Sequence, residues 1–236
     1  MVIRTIKYYF PILLALIVVL AIVGFAGYKL YFEETGWPTS SHFDLLEDPT
    51  TINWKFDAVT KDATSAEERI KQISGDSTIG DYEKDLSLAE EYRLLGEGDL
   101  TYKYLLKAID VLPNKSLTYG NLGDLLEKVG AIDSARGAYE RAVTVESQYP
   151  VNHSNLIQFY IRNYSDDTDL IKSTFESALD RTGKDETLMK EFAQWLSSQK
   201  QYSESVAIWQ KVLKNYHPQN QQAIEQEIAR LQKLNK

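Results

Sequence analysis

Side chains that could perform nucleophilic, acid–base or metal chemistry are few in this sequence and widely separated. The three histidines are His42, His153 and His217, and no two of them have the spacing of a metal site or of a nucleophile with its base. There is no cysteine, which excludes thiolate ligands, disulfides and a cysteine nucleophile. The residue types therefore indicate neither a metal site nor a covalent catalyst.

Neighbouring carboxylates are the remaining chemical candidates, at Glu67–Glu68 and Glu90–Glu91. Adjacent acids are common on the solvent side of helices, so they give little support for a general acid–base pair. The sequence also lacks a glycine-rich phosphate loop and a Gly-x-Ser-x-Gly nucleophile elbow. We expect a protein that is not an enzyme, with no catalytic residue, no cofactor and no metal.

The N-terminal segment is the most apolar part of the chain. Tyr8 to Tyr28 are 21 residues without a charge, and a helix of that length spans the hydrocarbon core of a bilayer, about 30 Å. The sequence therefore predicts a transmembrane anchor within residues 1–32, in contact with lipid over residues 8–32. Cleavage of a secretory signal near Gly24-Phe25-Ala26 is the alternative.

The charges around this segment predict its orientation. Arg4 and Lys7 precede the apolar run, so the positive-inside rule places the N-terminus in the cytoplasm. The rest of the chain would then lie outside the cytoplasm, on the periplasmic or cell-surface side. Residues 33–100 hold 17 acidic and 6 basic side chains, which disfavours nucleic acid and repels anionic lipid. This acidic region is either a solubilising stalk or a dock for a basic partner.

Two consecutive segments, residues 82–115 and 116–149, align at a spacing of 34 residues without a gap. Small residues recur where two helices of a hairpin would approach closely, and large ones recur where neighbouring hairpins would pack. In the first segment these residues are Leu88, Ala89, Tyr92, Gly96, Leu105, Ala108 and Pro113. In the second they are Tyr119, Leu122, Gly123, Leu126, Gly130, Ala135, Tyr139 and Ala142.

This pattern resembles the tetratricopeptide repeat (TPR) family, whose repeats are helical hairpins. A third repeat fits residues 150–185 with two extra residues in its turn, a fourth fits 186–218, and residues 219–236 form a capping helix. The resemblance implies an all-α fold: an N-terminal transmembrane helix, then an α-solenoid of about four hairpins (82–115, 116–149, 150–185 and 186–218), then the cap.

Residues 33–81 do not fit the repeat and form an acidic linker or arm. Apolar and polar residues alternate from Ile52 to Ala58 as in a strand, which we expect to lie across the first repeat; pairing with a sheet edge of a partner is the alternative. Ser65 to Glu68 form a capping box that predicts a short helix ending at Gly75.

In the resembling family, the first helix of each repeat lines a groove that binds other polypeptides. The amides of Asn121 and Asn155 could bond the backbone of an extended peptide, although exposed helical asparagines are also ordinary. The residues that the resemblance places in this groove are Leu86, Glu90, Arg93, Leu117, Asn121, Asp124, Asn155, Gln158, Arg162, Lys190 and Gln194.

These features predict a membrane-anchored scaffold that binds protein partners and assembles or stabilises a membrane-associated complex. One alternative is an accessory subunit of a larger translocation, respiratory or photosynthetic complex, with the transmembrane helix packed inside it. A second alternative is a cytochrome-assembly factor or a small hydrolase, although no cluster of residues supports it.

Overall fold

The computed structural model describes residues 39–59, 63–216 and 219–235. The predicted anchor at residues 1–32, with its bilayer contact over residues 8–32, lies outside these ranges. In the part of the chain that the structure describes, no helix is both long and apolar enough to cross a membrane.

The described residues form ten helices, which stack in chain order into an all-helical solenoid. Helices α2 and α3, α4 and α5, α6 and α7, and α8 and α9 form four successive hairpins, α1 precedes them and α10 packs on α9. The helices are α1 (Ala63–Gly75), α2 (Asp81–Leu94), α3 (Gly98–Val111), α4 (Ser116–Lys128), α5 (Ile132–Val145), α6 (Pro150–Asn163), α7 (Thr168–Arg181), α8 (Glu186–Ser198), α9 (Tyr202–Tyr216) and α10 (Gln221–Leu234).

Small residues set the distance between the two helices of a hairpin. A methyl group added at Gly123 in α4 would lie 2.8 Å from the ring of Tyr139 in α5, so the tyrosine packs directly on the backbone of α4. Ala89 and Ala193 hold the same repeat position in α2 and α8, and both are fully buried. The large residue of one helix thus fills the space that the small residue of the other leaves.

The turn between the helices of a hairpin uses a left-handed backbone in three of the four repeats. Gly96 and Gly130 have φ angles of 75° and 81°, which glycine adopts without strain. Lys200 holds the same place in the fourth repeat with φ 60°, although it is not a glycine. In the third repeat the longer turn ends at Asp167, whose carboxylate caps α7 by accepting the backbone N–H of Leu170 at 3.0 Å.

The segment predicted as an extended arm lies against the first hairpin and makes the backbone contacts of a short antiparallel bridge. The backbone N–H of Gly98 donates to the carbonyl of Trp54 at 2.8 Å, and the N–H of Phe56 donates to the carbonyl of Gly96 at 3.2 Å. A Cβ at Gly98 would lie 2.3 Å from the Trp54 carbonyl oxygen, and one at Gly96 would lie 2.1 Å from that of Phe56. The two glycines therefore make room for the arm.

The arm contributes to the core as well as to the surface. Trp54 is 7% exposed, its ring lies 5.1 Å from that of Tyr102, and its indole N–H donates to the carbonyl of Pro49 at 2.9 Å. One hydrophobic cluster runs from Trp54 through the first three hairpins to Leu196 in α8. A second cluster holds α8, α9 and α10 together.

Helix α1 packs on α2 through a bidentate ion pair, because the guanidinium of Arg69 donates to both carboxylate oxygens of Glu91 at 2.7 Å. The capping box predicts that this helix begins after Ser65. The helix begins at Ala63 instead, so this prediction is wrong by three residues and Ser65 stands within the first turn.

Candidate protein-binding surface

The first helices of the four hairpins, α2, α4, α6 and α8, form one surface that we name the A-helix face. Helix α4 contacts α6 and α6 contacts α8. At their N-terminal ends α2 and α4 are joined by a hydrogen bond of 3.0 Å between the hydroxyls of Tyr82 and Thr118. The residues predicted to bind a partner are distributed over these four helices, so the fold places all of them on neighbouring elements.

Three amides lie at the middle of the A-helix face. Asn121, Asn155 and Gln158 are half-buried, and no hydrogen bond joins their side chains to any other residue that the structure describes. A Cβ at Gly120 would lie 3.8 Å from the Asn155 amide nitrogen, so Asn155 lies over the backbone of α4. Amides in this state retain donors and acceptors for a ligand.

Charged residues of the face are paired with one another. Arg162 of α6 donates two hydrogen bonds, at 2.8 and 2.7 Å, to the carboxylate of Glu127 in α4, and Asn163 adds a third at 2.7 Å. These bonds, the one from Arg162 above all, lower the pKa of Glu127. Glu90 and Arg93 form a second bidentate pair within α2, at 2.7 Å.

Tyr139 connects this charge network to the core of the second hairpin. Its hydroxyl donates to Asp124 and lies 3.3 Å from the nearer carboxylate oxygen of Glu127. Burial, followed by the hydrogen bond to Asp124, raises the pKa of Tyr139, so the phenol stays protonated and acts as a donor. The carboxylate of Asp124 is therefore held in place rather than free to rotate.

The remaining predicted residues differ in their surroundings. Leu86 is partly buried against the main hydrophobic cluster, whereas Leu117 is 58% exposed. Lys190 pairs with Glu186 one turn away on α8, at 2.6 Å, and Gln194 is exposed. Leu86 and Leu117 thus differ in exposure, although the repeat pattern assigns both to one surface.

Part of the chain is similar in sequence to a known TPR protein. No protein-family model matches the chain. A stretch of 96 residues is 33% identical to the TPR repeat-containing protein MJ1428 of Methanocaldococcus jannaschii, covering 40% of this chain and 16% of that protein. This similarity supports the TPR family for the repeats. The chain matches only about a sixth of the length of this relative.

Solved structures with a similar arrangement of helices have low sequence identity to the chain. A crystal structure of MamA protein is 12% identical, with a TM-score of 0.48, and the match covers 66% of this chain and 82% of that one. TTC0263, a thermophilic TPR protein of Thermus thermophilus, is 16% identical, with a TM-score of 0.48 and coverage of 72% and 88%.

Histidines and other potential metal ligands are dispersed over the described residues. His42 is exposed in the arm, and His153 is buried with its Nε2 atom 2.7 Å from the carbonyl oxygen of Ser147. His217 lies outside the described residues. Over the ranges that the structure describes, no three histidines, cysteines or acids come close enough to hold a metal ion. The A-helix face instead presents amides and charged side chains.

Glu47 is a residue of the arm whose structural contact was not predicted from the sequence. Its carboxylate accepts the backbone N–H groups of Asp133 and Ser134 at 2.9 and 3.2 Å, together with the Ser134 hydroxyl. Helix α5 has Ala131 at its N-cap, which offers no capping side chain. The missing cap is the one sequence signal for this contact. The backbone N–H groups at the N-terminus of α5 lack a local acceptor, which implies that another part of the chain supplies one.

Proposed function

We propose that this chain is a membrane-anchored scaffold whose A-helix face binds an extended segment of a protein partner and so assembles or stabilises a membrane-associated complex. The observation that carries the proposal is the strip of half-buried amides at Asn121, Asn155 and Gln158, which have no partner among the described residues. An amide strip on neighbouring helices can bond the backbone of a peptide whatever its sequence.

The ion pairs around the strip support binding without large rearrangement. Glu127 and Arg162 join α4 to α6, and the Ser154 hydroxyl joins α6 to α8 by bonds of 2.9 Å to both carboxylate oxygens of Glu191. A surface whose helices are already fixed loses little conformational freedom when a ligand binds. The A-helix face is therefore suited to hold a partner rather than to fold around it.

The arm is an example, within this chain, of an extended segment that is bound through its own main-chain groups. Residues 54–56 bind the first hairpin through main-chain hydrogen bonds to Gly96 and Gly98, with Trp54 inserted into the core. A partner segment would bind the A-helix face through main-chain bonds to side-chain amides instead. The anchor in residues 1–32 and the extracytoplasmic position of the repeats are parts of this proposal that rest on the apolar run and its flanking charges.

Amide-to-alanine variants test partner binding. The full chain, tagged at its C-terminus, is extracted from its own membranes in mild detergent, and the stoichiometry of accompanying proteins is measured. We expect the double variant Asn121→Ala with Asn155→Ala to lose its partner. The matched control, Gln222→Ala with Gln226→Ala on the exposed side of α10, should retain it.

A fixed partner that remains bound to both double variants would refute recognition by the A-helix face. That result would favour the accessory-subunit hypothesis, in which the N-terminal segment makes the main contact. Orientation is tested separately by adding protease to intact cells, to osmotically opened cells and to fully lysed cells. Digestion of the C-terminal region only after full lysis would reverse the proposed topology.

A further inference from the structure

The turns that join the first, second and third repeats lie on one edge of the solenoid and have a distinctive surface, unlike the turn before α8, which contains Lys184 and Asp185. In the described hairpins, every exposed large apolar side chain lies at this edge. Val111 and Leu117 flank the turn between α3 and α4, and Tyr149 and Val151 flank the turn between α5 and α6. We name these four side chains the apolar edge.

The apolar edge has almost no free charge. Residues 111–117 and 145–151 contain one charged side chain each, Lys115 and Glu146. The Glu146 carboxylate accepts the backbone N–H of Ser116 at 2.9 Å as well as its hydroxyl, which caps α4 and reduces the demand of that carboxylate for water. A surface of this kind can be dehydrated at low cost.

The opposite edge holds the turns within each hairpin, and the first three of these turns are acidic, whereas the fourth contains Lys200 and no acid. The first three of these turns, residues 95–98, 128–133 and 164–169, contain five acidic side chains against the single base Lys128. The acids are Glu97, Asp133, Asp166, Asp167 and Asp169. Carboxylates are repelled by anionic headgroups and are costly to dehydrate, so this edge favours water.

The arm fixes where the chain enters the repeats. The Ser40 hydroxyl donates to the carboxylate of Asp110 at 2.6 Å, and Asp110 is the last residue but one of α3, beside Val111 at the apolar edge. Eleven residues, 29–39, separate this point from the end of the uncharged run at Tyr28. Fully extended, they span at most about 40 Å, so the apolar edge lies within that reach of the place where the predicted anchor ends.

From these observations we propose that the apolar edge rests on the bilayer, with Leu117 and Val151 inserted into the headgroup region and the acidic edge turned away from the lipid. This inference rests on the proposed membrane anchor. It adds an orientation: the helices stand roughly upright, so the acidic edge is about 21 Å farther from the lipid, the length of a 14-residue helix. The A-helix face then opens sideways along the membrane.

Single-cysteine variants test the orientation in the whole chain, because the sequence has no native cysteine. Leu117→Cys and Val151→Cys place an environment-sensitive fluorophore at the apolar edge, and Ser165→Cys places it on the exposed turn of the opposite edge as the matched control. Each labelled protein is reconstituted into nanodiscs of phosphatidylcholine that contain a nitroxide-labelled phosphatidylcholine. Circular dichroism checks that the variants keep their helix content.

We expect quenching at both apolar-edge positions to exceed that at the control by about twofold or more, since interfacial side chains enter the boundary by about 5–10 Å. Equal quenching, or stronger quenching of the Ser165→Cys label, would overturn the orientation while leaving the anchor intact. A Leu117→Cys label that becomes shielded from water but is not quenched would also overturn it, because a protein would then cover the edge. Failure of the chain to enter nanodiscs would refute the anchor itself.

Discussion

Replacing Gly98, the first residue of α3, by alanine tests the packing of the arm, because local helix propensity and tertiary packing predict opposite effects on stability. Alanine normally stabilises a helix relative to glycine, by about 0.5–1 kcal/mol. At Gly98, however, the added Cβ would lie 2.3 Å from the carbonyl oxygen of Trp54, and that oxygen accepts the Gly98 N–H at 2.8 Å. The arm would have to move away from the turn.

The cost of this movement follows from the contacts that it breaks. Loss of one backbone hydrogen bond costs about 1 kcal/mol, and partial withdrawal of Trp54, which is only 7% exposed, costs about 1.5–3 kcal/mol. We therefore expect Gly98→Ala to lower the free energy of unfolding by about 2–4 kcal/mol. Gly137 in α5 is the matched control, because nothing lies within 4 Å of its added Cβ, and Gly137→Ala should raise stability by about 0.5–1 kcal/mol.

Urea unfolding of the full chain in detergent, followed by circular dichroism, measures both variants. In a Trp54→Ala background the arm is already loosened, so the further cost of Gly98→Ala should fall below about 1 kcal/mol by the logic of a double-mutant cycle. If Gly98→Ala instead stabilised the protein as much as Gly137→Ala does, the arm would not pack on this turn, and the reasoning would be refuted.

Three further predictions concern single side chains. Lys200→Gly should stabilise the protein by about 0.5–1 kcal/mol in urea unfolding, because the left-handed conformation strains a lysine, whereas Lys200→Ala should bring no gain. Burial lowers the pKa of His153, so the folded state binds fewer protons than the unfolded state. The melting temperature should therefore fall as the pH drops below 6.5, and His153→Gln should remove that fall. Arg162→Gln should cost about 0.5–1 kcal/mol at pH 7. In the folded protein the pKa of Glu127 is lowered from its ordinary value of 4.5. In melts at decreasing pH the cost should therefore shrink below pH 4.5 and vanish once the carboxylate is protonated in the folded protein as well.

The repeat spacing was sufficient to predict the all-helical solenoid, because its small and large residues encode how neighbouring helices pack. Gly123 and Tyr139 illustrate this. The alignment assigns Gly123 to a position where two helices approach closely and Tyr139 to a position of a large packing residue, and the two residues are in contact. The left-handed turn at Lys200 was not predictable in the same way. Its residue type gives no sign of the conformation, which the surrounding hairpin imposes.

The contacts of the candidate surface were beyond the reach of the sequence. Periodicity assigns Asp124 and Arg162 to one face, but it does not identify their partners. Asp124 accepts a hydrogen bond from Tyr139 and Arg162 pairs with Glu127, and these contacts depend on how side chains pack between helices. Glu47 meets the N-terminus of α5 more than 80 residues later in the chain. The membrane anchor and its orientation stay predictions.

The division of the core into two clusters makes the ends of the solenoid mechanically unequal. The arm braces the first two hairpins, whereas α10 packs on the smaller cluster around Trp209, Ile224 and Leu231. In a stack whose units touch only their neighbours, fraying begins at the less braced end. Amide hydrogens of α10 should therefore exchange with solvent sooner than those of α3 to α5, and a ligand seated near the C-terminal hairpin would slow that exchange most.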